Sequence, residues 1–148
     1  MADRKTLIQS HVAQWKHNRA FLPAIPADYP DWQVVVTFYT ALHAVDSVLA
    51  FDKVERVTSH DARNRVLFQT NRYLRIQQRY MPLYFLSRTI RYLAEPAKWV
   101  PVDRVKPDVI ERYLYPIEQS VQKLMAKDLG LADIVLAQSV GPSPAASA

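Results

Sequence analysis

The sequence predicts an all-α domain, an up-and-down bundle of four to five helices. Three observations predict it. Only two glycines, Gly130 and Gly141, occur in 148 residues, too few for the turns of a β-rich domain. Apolar residues recur at spacings of three and four, not two. Prolines gather between the periodic stretches, where they break helices. The length suits one domain with a core of its own. Residues 1–137 read as that domain and 138–148, "GPSPAASA" with its lead-in, as a flexible tail.

Helix one is expected from about Asp3 to Leu22, with Leu7, Ile8, Val12, Trp15 and Arg19 along one stripe. Pro23, Pro26 and Pro30 end it. Helix two is expected from an Asp31 N-cap to about Phe51. After Asp31 its only formally charged side chain is Asp46, so it should be the central helix. Thr58 or Ser59 should cap helix three, which carries Val66, Leu67, Tyr73, Leu74 and Ile76. Helix four is expected with Pro82 in its first turn, where proline is tolerated. Pro96, Pro101 and Pro107 mark the next loop. Helix five then follows the stripe Ile110, Leu114, Ile117, Val121, Leu124, and Pro116 should kink it. Gly130 suits its C-terminal cap, and "LADIVLAQSV" suits one more short helix.

Composition narrows the function. The absence of cysteine excludes a disulfide scaffold, thiolate-bound zinc and thiol catalysis, and fits a reducing compartment. No uninterrupted apolar run reaches the ~18–20 residues of a spanning helix, and "MADRKTLIQSHVAQ" does not read as a signal peptide. A cytoplasmic protein without a membrane partner is expected. Eight arginines lie from Arg56 to Arg91, with no lysine and with Asp61 as the single acid. The net charge of the whole chain is +5, so the remainder is slightly acidic. Arginine matches phosphate and carboxylate with a planar fork. The segment is therefore either a solvated helix pair or a surface for an anionic partner such as RNA or a nucleotide.

Four groups of residues bear on chemistry. His60 and Arg63 are three apart at the start of helix three, beside Arg65. Unpaired N–H groups at such a start attract anions, and a histidine there can exchange a proton. The plain alternative is a histidine packed beside a cap with Arg63 in solvent. Arg88 and Arg91, with Ser87 and Tyr92, share a face of helix four. If helices three and four are antiparallel, His60, Arg63, Arg88 and Arg91 can converge; otherwise the arginines are surface groups in weak ion pairs. His43 and Asp46 share a face of the buried helix two. A buried aspartate needs a partner, best an arginine, and the pair can orient a site from behind. Tyr73, Tyr80, Tyr84, Tyr92 and Trp99 lie among the arginines, either as core or as base-stacking groups. His11 and His17 are six apart and do not share a face well, and no metal motif or glycine-rich phosphate loop occurs. No metal or cofactor is expected.

"DWQVVVTFYTALHAVDSVLA", "SHDARNR" and "YFLSRTIRYL" together resemble the HEPN superfamily over roughly residues 31–93. In its small bacterial branch a W…FY-x-ALH helix precedes an S-H-x-x-R turn and an S-R-x-x-R-Y helix. The resemblance implies a helical bundle, commonly a homodimer. It implies either a metal-independent ribonuclease of a defence or toxin–antitoxin system, or a member that binds RNA, a nucleotide or a partner protein. The nucleolytic members carry R-x4–6-H. Here Arg56 precedes His60 by only "VTS", so that motif is missing. His60 and Arg63 are carried over as tentative catalytic residues, and Arg65, Arg88, Arg91 and Tyr92 as phosphate-binding residues. Three functions follow: an RNA- or nucleotide-binding module, a ribonuclease using His60 with Arg63, Arg88 and Arg91, and a purely structural interaction subunit with the loop around Trp99 and helix five as its interface.

Overall fold

The computed structural model describes residues 3–54, 57–92 and 104–126. They form an all-α bundle: α1 Arg4–Phe21, α2 Pro30–Phe51, α3 His60–Gln69, α4 Leu74–Arg91 and α5 Tyr115–Met125. The expected short helix after Gly130, the tail and Trp99 lie outside the described residues.

Asp3 caps α1, its carboxylate accepting from the Thr6 N–H at 2.8 Å. Ile8, Val12 and Trp15 go into the core and Leu7 stays outside. The N-cap of α2 is Tyr29, two residues before the expected Asp31. Pro30 is the first helical residue, where its missing N–H costs nothing, and Asp31 sits in the first turn instead of capping it. Thirteen residues of α2 are buried, which makes it the axis of the bundle. Among the described residues it is the one helix long and apolar enough to cross a membrane; 72 % of its most apolar window is buried by its neighbours.

α2 ends in a Schellman turn. The Val54 N–H donates to Leu49 at 2.9 Å and the Lys53 N–H to Ala50 at 3.2 Å. Lys53 takes φ 62°, a left-handed position that usually falls to glycine. The expected single helix from His60 past Ile76 is two elements. α3 stops at Thr70, a 3-10 turn spans Asn71–Tyr73, and α4 starts at Leu74. Pro82 consequently lies inside α4, not in its first turn. The expected kink at Pro116 becomes a π turn, Ile110–Leu114, closed by Tyr115 N–H donating to Ile110. The wider turn ends where proline cannot donate, which places Pro116 at the start of regular α5.

α3 and α4 are antiparallel. His60 meets Tyr84 (5.6 Å between rings), and α3 begins beside Phe38 in the first half of α2. The opposite end is tied by Asp52, at the close of α2. It accepts two bonds from Arg72, at 2.8 and 3.0 Å, and one from the Tyr73 hydroxyl. Arg72 also donates to Leu124 in α5 at 3.3 Å.

Candidate functional site

The deepest charged pair is Asp46 with Arg63. Arg63 Nε donates to Oδ1 at 2.6 Å and Nη2 donates to Oδ2 at 2.9 Å. Their residues are only 7 % and 5 % exposed. Burial alone lowers the Arg63 pKa, but the hydrogen bonds and charge of Asp46 outweigh it and the net shift is upward. Arg63 therefore faces the bundle interior, and its fork is taken. The second nitrogen, Nη1, lies 3.5 Å from both the Ser59 carbonyl and His60 Nδ1. The Tyr80 hydroxyl is buried near Arg63 but makes no hydrogen bond there, and burial pushes its pKa upward.

His60 opens α3. Ser59 Oγ caps that helix by accepting from the Ala62 N–H at 3.1 Å. The His60 ring packs against Phe38 and Tyr84, 5.7 and 5.6 Å between centroids. Its pKa is lowered by burial first, then by the charges of Arg63 and Arg91; Asp46 and Asp61 oppose more weakly. The imidazole is consequently neutral near pH 7.

Arg91 comes from the last turn of α4. Its Nε donates to Ser87 Oγ at 3.1 Å and its Nη1 to the Tyr39 hydroxyl at 3.0 Å. The guanidinium lies over the rings of Phe38, Tyr39 and Tyr92, 5.3, 5.5 and 5.1 Å from their centroids. Arg88 donates to the Tyr84 hydroxyl at 3.4 Å, a long bond. Neither arginine has a carboxylate partner among the described residues. His60, Arg88 and Arg91 are thus joined through the shared rings of Phe38 and Tyr84. Convergence holds for these three and, through the buried side, for Arg63. Arg65 does not join them. It is exposed on α3 and makes no ion pair among the described residues. Tyr92 is exposed at the mouth of the group, whereas Tyr73, Tyr80 and Tyr84 belong to the core.

His43 and Asp46 do not bond each other. Asp46 is given to Arg63. His43 meets His11 of α1, Nδ1 to Nδ1 at 3.2 Å. Burial lowers the pKa of both imidazoles; Arg63 also lowers both and Asp46 opposes. One ring must carry its proton on Nδ1 and the other must accept there, so the pair bonds only while one facing nitrogen is bare. Spacing within α1 gave no sign of His11, because its partner lies 32 residues away. Nor does any local pattern mark Glu118. It is buried, accepts from Trp15 Nε1 at 2.7 Å and lies 3.0 Å from Arg19 Nε. Burial raises its pKa to about 7, against the lowering effects of Arg19 and Trp15. No group of three or more metal-ligating side chains forms among the described residues.

The fold and site define an all-α bundle with an arginine-bearing corner. No protein-family model, curated protein or solved structure matches the chain.

Proposed function

We propose that the chain is a HEPN-like helical protein that binds RNA or a nucleotide at the corner of His60, Arg88, Arg91 and Tyr92. The carrying observation is that Arg88 and Arg91 stand side by side, held by tyrosines and a serine, with no carboxylate partner among the described residues. Two arginines of the same segment, buried Arg63 and exposed Arg72, are each neutralised by an aspartate. Two that are oriented only by neutral groups suit a phosphate. The nearby imidazole is neutral and adds a hydrogen bond without charge, and exposed Tyr92 offers a ring for a base. The homodimer, the partner protein and the setting in a prokaryotic defence or toxin–antitoxin system rest on the resemblance and belong to the same proposal.

The test is binding of labelled single-stranded RNA and of a nucleoside triphosphate, in chelator at low salt. Arg88→Gln and Arg91→Gln should each weaken binding about tenfold or more, since bonds to charged groups contribute about 1.5–3 kcal/mol. The affinity should fall as salt rises. No binding of either ligand at low salt would overturn the proposal and leave the structural subunit as the better reading.

A second reading has its own observation. A histidine kept neutral beside Arg91 is fit to take a proton from a 2′-hydroxyl while the arginine steadies the phosphorane. RNA cleavage in chelator that disappears in His60→Ala would select that reading. Binding without cleavage in either protein would reject it.

A further inference from the structure

The outer face of α4 is built like one side of a helix–helix seam. Leu74, Gln78, Met81, Phe85, Arg88 and Tyr92 follow one another at spacings of four, three, four, three and four. That is the 3.5-residue period by which one helix tracks another. The seam is about 27 Å long at 1.5 Å per residue. Leu74, Phe85 and Tyr92 are 51 %, 56 % and 58 % exposed, and Met81 is half-buried. Leu74 and Phe85 on the helix and Tyr92 at its C-cap are more than scattered surface hydrophobics. Arg75 and Arg79 follow Leu74 and Gln78 along one flank, exposed and without an ion pair among the described residues. α4 contains four arginines and no acid.

We propose that this face docks an acidic amphipathic helix of another polypeptide. Charge and shape choose that occupant together. A second copy of the chain would set Arg75, Arg79 and Arg88 against like charges. A nucleic acid would meet the arginines but leave Leu74 and Met81 without apolar contact. A helix with leucines at seam positions and glutamates beside them covers the apolar line and neutralises the flank. Arg88 and Tyr92 belong to both the seam and the proposed phosphate corner, but Leu74, Arg75, Arg79 and Phe85 belong to the seam alone and His60 and Arg91 to the corner alone, so each can be removed alone.

The experiment uses the full chain and two synthetic peptides of three heptads. Both have leucine at the seam positions; one is flanked by glutamate and the other by lysine. Binding is read by fluorescence anisotropy, and self-association by sedimentation. The glutamate peptide should bind at least tenfold more tightly than the lysine peptide. Phe85→Ser and the pair Arg75→Glu/Arg79→Glu should each weaken it tenfold or more. All three positions are exposed, so circular dichroism should be unchanged. Single-stranded RNA should bind these variants nearly as it binds wild type, while Arg91→Gln should retain the peptide. Absent binding, or equal binding of the two peptides, would overturn the proposal. So would self-association that Phe85→Ser abolishes, which gives the face to a second copy. Loss of RNA affinity in Phe85→Ser without peptide binding would also overturn it and give the face to nucleic acid.

Discussion

Glu118 gives the bundle a pH dependence that a single substitution isolates. Its carboxyl is buried against Trp15 and Arg19, and its pKa rises from 4.5 to about 7. The folded protein therefore keeps a proton that the unfolded chain has already released. Stability is greatest below the unfolded value and falls as pH rises toward the folded one. Each pH step across that window is worth about 1.4 kcal/mol. Between pH 4.5 and pH 8 the loss is on the order of 3 kcal/mol, a large part of a typical domain's stability of about 5–15 kcal/mol. His11, His43 and His60 titrate in the same range with the opposite sign, so the wild-type curve alone does not separate them. Glu118→Gln does. It keeps an oxygen for the Trp15 N–H and cannot ionise. Urea unfolding of both proteins should be followed by circular dichroism at pH 5, 6, 7 and 8. Relative to the glutamine variant, wild type should lose stability steadily from pH 5 to 7 and level off near pH 8. A flat difference, or a wild type that gains with pH, would show that Arg19 holds the carboxylate ionised and would refute the argument.

Other perturbations follow from the same structure. Arg63→Met should destabilise the fold by about 3–5 kcal/mol, because it leaves Asp46 buried without its cation. The double change Arg63→Met/Asp46→Leu should recover most of that loss in urea unfolding; no recovery would mean that the pair does more than neutralise itself. Lys53→Gly should stabilise by about 0.5–1 kcal/mol, since glycine takes the left-handed turn without a Cβ clash. An unchanged urea midpoint would count against the strain. Acid should loosen the α1–α2 contact: the His11 and His43 pKa values lie below 6.5, so stability is lost as pH falls through 6.5 toward them. His43→Gln should flatten that part of the curve, and an unaltered slope between pH 7 and 5 would reject the paired-proton account.

Much of the fold was legible because helix periodicity and proline placement are local. The central place of α2 followed from its apolar surface on all sides, and the Asp46 partner from the rule that a buried aspartate needs a cation. The breaks were harder to see. Nothing in "FQTNRYLRIQQRYMPLY" marks the end of α3, because Thr70 turns the chain with neither glycine nor proline. Pro82 then looked like a first-turn residue, although it lies within α4. At the site, one-face spacing placed Arg88 and Arg91 together but said nothing of Phe38 and Tyr39, which reach Arg91 from α2. His11 with His43 and Trp15 with Glu118 are partners 32 and 103 residues apart, and no local pattern reports such pairs.

The arginines that looked like one basic patch have separate tasks. Arg63 and Arg72 are committed to Asp46 and Asp52, one pair in the interior and one closing the far end of the bundle. Neither can meet an incoming anion without giving up a bidentate acid. His60 and Arg63 therefore share a helical turn but not a role: Arg63 fastens α3 to α2, and that fastening fixes where His60 stands against Phe38 and Tyr84. Arg88 and Arg91 differ because their partners are neutral, which orients their charge without cancelling it. Removing Arg63 should then disturb any ligand at His60 only through loss of the fold, whereas Arg91→Gln should weaken ligand binding in an intact bundle. Unfolding midpoints measured beside RNA affinities separate the two. If Arg63→Met/Asp46→Leu folds as well as wild type yet binds no RNA, Arg63 acts on the ligand, and its assignment to the scaffold fails.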